Sequence, residues 1–127
     1  MKRIITSIVF LVSALSMLAQ IRIATPNIEM ILKAEQGGEL QIQYFGNRLS
    51  DADAANLEAA GVPNHNAYPA YGFWCASEAS VGVTHSDGNM STVMRVESVS
   101  QSEEPTAKVT KIRLKDTVYP FYVTVCY

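Results

Sequence analysis

The sequence contains few of the residues from which metal centres and cystine-rich folds are built. Its 127 residues include two cysteines and two histidines. These are too few for a scaffold held by several disulfides or for a zinc site with four cysteine or histidine ligands. Basic residues are also few, since 10 lysines and arginines against 12 acidic residues give a net charge of −2. This charge lacks the positive excess of a nucleic-acid-binding domain. We therefore expect no metal, no cofactor and no nucleic-acid partner.

The chain does contain a hydrophobic start of the kind found in exported proteins. Residues 1–3 are a short basic segment, and residues 4–19 form an uncharged, mostly apolar run. A membrane-spanning helix needs roughly 20 such residues, whereas a basic start, a shorter apolar run and small residues are typical of a secretory signal peptide. We predict a signal peptide over residues 1–19, cleaved after Ala19 or near Ser16, and an exported protein, periplasmic or secreted, without membrane contact after cleavage. A retained membrane anchor is the alternative.

The two cysteines allow two interpretations. An exported chain lies in an oxidising compartment, so Cys75 and Cys126 could form a disulfide. They could equally be two small, buried apolar side chains. The sequence does not say whether their Cα atoms come within bridging distance.

The mature chain, residues 20–127, shows the alternation of apolar and polar residues that is typical of β-strands. The segments with this pattern lie around residues 21–23, 28–32, 40–44, 81–83, 93–99, 109–114 and 118–127. Turn-forming pairs separate them: Gly37-Gly38, Asp87-Gly88, Glu104-Pro105 and Asp116-Thr117. Asp-Gly between two such segments is a strong hairpin signal. The pattern predicts one all-β domain, an antiparallel β-sandwich.

One segment, residues 50–60, is typical of a short helix. Ser50 is a favoured capping residue, acidic residues follow it, and Gly61 comes directly after. Its apolar residues are Leu57 and several alanines, so it can bury little surface. We predict one or two helical turns within a long loop.

Groups suited to catalysis are scarce. Asp51 and Asp53 lie two residues apart in the helical segment, whereas a glycosidase places its two carboxylates at separate, rigid positions on either side of the scissile bond. We interpret both as acids at a helix N-terminus. No serine lies in a Gly-x-Ser-x-Gly turn, and neither cysteine has activating charges nearby in the sequence. The sequence therefore offers no catalytic residue.

The most distinctive feature is an aromatic segment, residues 68–74, which has four aromatic side chains in seven positions. Pro63 and Pro69 stiffen this region. Aromatic faces on a rigid loop suit the stacking of sugar rings. They suit equally well the filling of the apolar space under a long loop, and the residues alone slightly favour this second interpretation.

Three segments carry a family resemblance. They are residues 44–49 (YFGNRL), residues 67–72 (AYPAYG) followed by 83–89 (VTHSDGN), and residues 114–121 (LKDTVYPF). In this order and spacing they resemble the amino-terminal domain of family 36 α-galactosidases, the melibiases. Together with the strand pattern, the resemblance covers residues 21–127.

The resemblance implies that residues 20–127 are part of a large amino-terminal β-sandwich of the supersandwich type. In the family a (β/α)₈ barrel follows, and two of its aspartates remove terminal α-galactose from oligosaccharides such as melibiose and raffinose. This chain contains no barrel, so the resemblance implies no catalytic residue here. It implies a domain that supports the missing (β/α)₈ catalytic domain and helps to build a homo-oligomer.

The amino-terminal domain of this family can also lend residues to the rim of the active site. Many members carry an Asp and an Arg shortly after the glycine that corresponds to Gly72, where this chain has the sequence FWCAS over residues 73–77. Tyr71 and Trp74 are accordingly the candidate substrate-binding residues, with galactoside oligosaccharides as their ligands.

Two functional hypotheses follow. The first is a truncated or split piece of an α-galactosidase, because the apolar segment 118–127 runs to the last residue without a polar tail. A domain whose last strand is simply central is the alternative explanation of that ending. The second hypothesis is a free-standing, secreted carbohydrate-binding module that uses the aromatic residues of 68–74.

Overall fold

The computed structural model describes residues 20–57, 59–60, 65–71 and 78–127. Within these ranges the chain forms two antiparallel sheets and one short helix, which confirms the predicted all-β, sandwich-like fold. The predicted signal peptide, residues 1–19, lies outside the described residues. None of the described segments forms a helix long and apolar enough to cross a bilayer.

The first sheet contains the three amino-terminal strands and one short strand that follows the helix. Its strands are β1 (Gln20–Ala24), β2 (Ile28–Ala34), β3 (Leu40–Asn47) and β4 (His65–Asn66), in this spatial order. All neighbouring strands are antiparallel. The turn between β2 and β3 is tight because Gly37 has φ +77°, a conformation that favours glycine. The predicted Gly37-Gly38 hairpin is thus confirmed.

The second sheet contains three strands from the carboxy-terminal half. They are β5 (Met94–Glu103), β6 (Lys108–Asp116) and β7 (Tyr122–Cys126), in this order and all antiparallel. The backbone N–H of Glu104 donates to the carbonyl of Ala107 at 2.8 Å, which closes the β5–β6 hairpin at the predicted break. In the described part of the chain, β7 is an edge strand of this sheet and pairs with β6.

The helix α1 (Asp51–Asn56) lies where the sequence predicts it. The Ser50 hydroxyl accepts the backbone N–H of Asp53, so Ser50 is the N-cap, as expected. Ala54 is 2% exposed and is the buried residue of the helix. The helix therefore covers little area, in agreement with its composition.

The hydrophobic core lies between the two sheets. Sheet one contributes Ile21, Leu32, Ala34 and Leu40, sheet two contributes Met94, Val96, Ile112 and Leu114, and Ala70 comes from the aromatic segment. Ile112 and Leu114 alternate with exposed residues along β6, because successive side chains of a strand point to opposite faces. Main-chain hydrogen bonds of 2.8 Å join Gly37 and Gly38 to Val96, so the tip of the β2–β3 hairpin is fixed to β5.

The outer face of the first sheet is also covered, in part by the segment that contains α1. The Gln20 side-chain amide donates to the Ala54 carbonyl at 3.1 Å and to the Gln43 side chain at 3.2 Å. Gln43 and Ile31 are buried for this reason, although in the sequence both alternate with residues that face the core. This cover explains why Ile31 interrupts the polar positions of β2.

Three details differ from the sequence-based expectations. The segment around Val81 forms a single bridge to Ala70 rather than a strand. The Asp87-Gly88 turn forms, with Gly88 at φ +84°, but its flanking residues belong to no sheet. Cys126 is a free, exposed cysteine, so the interpretation of a buried apolar residue is wrong for it. Cys75 lies outside the described residues.

Candidate functional site

The aromatic segment is divided between the core and the surface. Tyr68 is partly buried and packs against the core cluster, and Ala70 is 5% exposed. Tyr71, by contrast, is 44% exposed. Of the two interpretations of this segment, filling of the core therefore describes Tyr68, while Tyr71 presents its ring to solvent. Trp74, the second candidate binding residue, lies outside the described residues.

The position of Tyr71 is fixed by its backbone and by a glycine under its ring. The Tyr71 carbonyl accepts the backbone N–H of Thr92 at 2.6 Å, and the Ser80 N–H donates to the Pro69 carbonyl at 2.8 Å. A Cβ atom placed on Gly82 would lie 3.2 Å from Cε2 of Tyr71. The ring therefore rests directly on the Gly82 backbone. An exposed ring with such support is suited to stacking against the apolar face of a sugar.

Next to this segment lies a group of four side chains that we name the turn cluster: His85, Asp87, Asn89 and Tyr119. The hydroxyl of Tyr119 donates to Asp87 at 2.8 Å, and the amide of Asn89 donates to the same hydroxyl at 2.9 Å. The His85 ring stacks on the Tyr119 ring with centroids 3.5 Å apart. The turn cluster thus joins two segments that lie some 30 residues apart in the sequence, 83–89 and 114–121.

The hydrogen bonds of the turn cluster shift two pKa values. The backbone N–H of Asn89, and then the hydroxyl of Tyr119, lower the pKa of the Asp87 carboxyl. The hydrogen bond to Asp87 raises the pKa of Tyr119. Asp87 is therefore ionised and Tyr119 neutral at neutral pH, so Asp87 is not a poised base and Tyr119 is not an ionised phenol.

Asp116 connects the turn cluster to the rest of the second sheet. Its carboxylate is 2% exposed and accepts the backbone N–H groups of Val118 and Tyr119 on one oxygen and that of Val93 on the other, at 2.7–2.8 Å. The residue therefore fixes the turn before β7 to the segment before β5. Its role is structural positioning of Tyr119.

The acidic residues of α1 have the roles that the sequence indicated. The Asp51 carboxylate forms an ion pair with Arg22 at 2.5 Å, and the Asp53 carboxylate accepts the hydroxyl of Ser50 at 2.6 Å. Both are exposed residues in the first turn of the helix. This confirms their interpretation as helix N-terminal acids. No group of three or more His, Cys, Asp or Glu side chains that could hold a metal occurs in the parts of the chain that the structure describes.

The surface has two large grooves, which lie apart from Tyr71 and the turn cluster. Two grooves of about 1060 Å³ each run along the β1–β2 turn, one beside the β5–β6 hairpin and one beside α1. They share Arg22, Thr25, Pro26 and Lys108 in their lining. Polar and apolar atoms contribute about equally to their lining, and Tyr71 lies outside both. The aromatic and groove surfaces are therefore separate features of the molecule.

The sequence proposed Tyr71 as a candidate binding residue but gave no direct indication of the turn cluster. His85 and Tyr119 lie in segments whose individual patterns are short, and their contact depends on the path of residues 81–93, which belong to neither sheet. The only sequence signal for it is that both segments belong to the three that carry the α-galactosidase resemblance. No protein-family model matches the chain, and a search of curated proteins finds no match.

Proposed function

We propose that this chain is the non-catalytic amino-terminal β-sandwich of an exported α-galactosidase. In the complete enzyme a (β/α)₈ barrel would carry both catalytic aspartates and hydrolyse terminal α-galactosides of the melibiose and raffinose type. The sandwich would support that barrel and contribute to a homo-oligomer. The proposal goes back to the three resembling segments and their order along the chain.

The observation that carries this proposal is the stack of His85 on Tyr119. Segments 83–89 and 114–121 are two of those on which the resemblance depends, and they are in direct contact. A chance likeness of two short segments has no reason to coincide with a contact between them. Residues 44–49 form the end of β3 and the turn after it, where the Leu49 N–H donates to the buried Glu29. All three resembling segments thus occupy structurally constrained positions.

The proposal predicts that the purified chain releases no galactose from an α-galactoside above background. The acids that come closest to a pair, Asp51 and Asp53, are engaged by Arg22 and Ser50. The measurement is galactose release from raffinose by the purified chain and by its Asp51→Asn variant. Turnover that disappears in the variant would overturn the proposal. So would a stop codon directly after the Tyr127 codon with no barrel-encoding frame downstream, because the proposal requires such a frame.

The exposure of Tyr71 favours a second candidate, a free-standing carbohydrate-binding module. In this case Tyr71→Ala is expected to weaken raffinose binding about twofold to tenfold, because aromatic contacts contribute roughly 0.5–1.5 kcal/mol beyond area burial. Phe45→Ala is the matched control, since Phe45 of β3 also carries an exposed aromatic ring and is 70% exposed. Titration calorimetry measures both. Equal affinities of the chain and its Tyr71→Ala variant, or no binding by the chain, would eliminate this candidate.

A further inference from the structure

The outer face of the second sheet carries three basic side chains in one line. Along β6 the side chains of Ile112 and Leu114 are buried, and Lys111, Arg113 and Lys115 between and beside them are exposed. Successive residues of a strand are about 3.3 Å apart, so neighbouring cations of this line are spaced about 6.6 Å apart along β6. We name Lys111, Arg113 and Lys115 the cationic row.

Arg113, in the middle of the cationic row, is held in position. Its Nε lies 2.8 Å from the carboxylate of Glu97 on β5, and its guanidinium carbon lies 4.5 Å from the centroid of the Tyr122 ring on β7. The Lys115 ammonium lies 5.9 Å from the same ring. Lys111 and Lys115 have no carboxylate partner among the residues that the structure describes. Two of the three charges therefore remain available to an external anion.

Hydroxyl-bearing side chains flank the cationic row on both sides. Ser98 and Ser100 of β5 pair with Arg113 and Lys111, and Thr124 of β7 pairs with Arg113 from the other side. All three hydroxyl residues are exposed. A ligand that follows the row would therefore meet positive charges in the middle and hydrogen-bonding hydroxyls along its sides.

We propose that the outer face of the second sheet binds a linear, carboxylate-bearing polysaccharide along the cationic row. Such a polymer presents repeated negative charges together with hydroxyl groups, which matches the alternation of cations and hydroxyls on this face. The whole chain has a net charge of −2, so the cationic row is a local concentration of positive charge on a chain that is acidic overall. A sparsely charged glycan fits this better than a nucleic acid, whose dense charge needs a larger basic surface.

The outer face of the second sheet is less suited to binding a lipid membrane than to binding a polysaccharide. Peripheral binding to a membrane combines basic residues with apolar side chains that enter the bilayer. The residues that pair with the cationic row are Arg95, Ser98 and Ser100 of β5 and Tyr122, Thr124 and Cys126 of β7. Tyr122, 41% exposed beside Arg113, is the one large apolar side chain among them. The test of this proposal differs from that of the α-galactosidase hypothesis, because binding along the cationic row requires neither a catalytic barrel nor Tyr71.

The test is the binding of the purified chain to polygalacturonate, with dextran as the neutral polymer. We expect binding to polygalacturonate at 20 mM salt, none to dextran, and loss of binding at 0.5 M salt, where charges are screened within a few ångströms. The variant Lys111→Gln/Lys115→Gln is expected to bind about tenfold more weakly, since two exposed charge contacts of up to about 1 kcal/mol each are removed. Both lysines are exposed, so the fold is expected to be retained, which circular dichroism checks.

The matched control is Arg48→Gln/Lys108→Gln, which removes two exposed cations away from the cationic row. It changes the net charge by the same amount and is expected to bind as the unmodified chain does. Equally weakened polygalacturonate binding in the two variants would overturn the proposal, because the overall charge of the chain would then explain the binding. Failure to bind polygalacturonate, binding to dextran of equal strength, or binding to phosphatidylglycerol vesicles alone would also overturn it.

Discussion

The Asp116→Ala variant is expected to lose about 3 kcal/mol of its free energy of unfolding. The Asp116 carboxylate is 2% exposed and accepts three backbone N–H groups, from Val93, Val118 and Tyr119. Hydrogen bonds to a charged group contribute roughly 1.5–3 kcal/mol each, and they are not additive. Truncation leaves these donors without their acceptor and detaches the turn before β7 from the segment before β5. Urea unfolding measures the effect, with a lower midpoint expected at an unchanged slope.

The same carboxyl predicts a pH dependence. Burial raises the pKa of Asp116. The hydrogen bonds from the N–H groups of Tyr119, Val118 and Val93 together lower it by more, so the pKa of Asp116 lies below its usual value. The unfolded chain has a pKa of about 3.9 at this residue. The ionised carboxylate thus stabilises the fold above about pH 4, and this stabilisation is lost as the pH falls through the lower pKa of the folded state.

The variant Asp116→Asn separates charge from shape. It has nearly the same size but replaces one acceptor oxygen by an amide donor, so we expect it to be less stable than the unmodified chain at pH 7. The difference should shrink as the pH falls below about 4, because both chains then lack the carboxylate. Glu104→Gln, which changes an exposed carboxyl in the turn between β5 and β6, is the control. A difference that stays constant down to pH 2 would contradict the assigned role of Asp116.

The strand pattern predicted most of the fold because alternation reports directly which face of a strand is buried. It was insufficient where a strand contains an extra residue. A bulge leaves Glu97 between the residues of β5 that pair with Leu114 and Arg113. Val99 consequently packs on the core side together with Val96, although the pattern places them on opposite faces. A one-residue shift reverses the face of every later side chain.

A second bulge has the same effect in the first sheet. The register between β2 and β3 shifts after Ile31, which leaves Gln43 without a partner residue in β2. Gln43 is buried and hydrogen-bonded to Gln20 rather than exposed. Whether such a polar residue is buried depends on what covers it, here the segment with α1. This is a tertiary property, so no local pattern in the sequence could predict it.

The candidate site, like the fold, could be predicted only in part from the sequence. Exposure of Tyr71 was one of the alternatives that the aromatic segment left open, and the sequence could not choose because Tyr68 and Tyr71 have the same chemistry. The choice depends on Gly82, which lies under the Tyr71 ring and eleven residues away. The cationic row, by contrast, is visible in the alternation of β6. Its relation to Tyr122 and Thr124 requires the register of β7.

The second large effect is expected at Glu29, a carboxylate buried on the outer face of the first sheet, 1% exposed. Arg22 donates to both of its oxygens, at 2.5 and 3.1 Å, and the Leu49 N–H donates at 3.0 Å. The hydrogen bond from Arg22 is the main reason why the pKa of Glu29 is lowered. Arg22 also reaches the Leu49 carbonyl and Asp51. Glu29 thus connects the β1–β2 hairpin to the loop before α1.

Glu29→Gln is expected to lower the free energy of unfolding by about 3 kcal/mol, the cost of leaving one partner of a buried ion pair without its counter-charge. Asp51→Asn is the matched control, because Asp51 binds the same guanidinium from a fully exposed position and its loss is screened by water. Thermal unfolding at pH 7 compares the two variants. A Glu29→Gln variant as stable as Asp51→Asn would contradict the role of Glu29, since Glu29 is buried and also accepts the Leu49 N–H, whereas Asp51 is fully exposed.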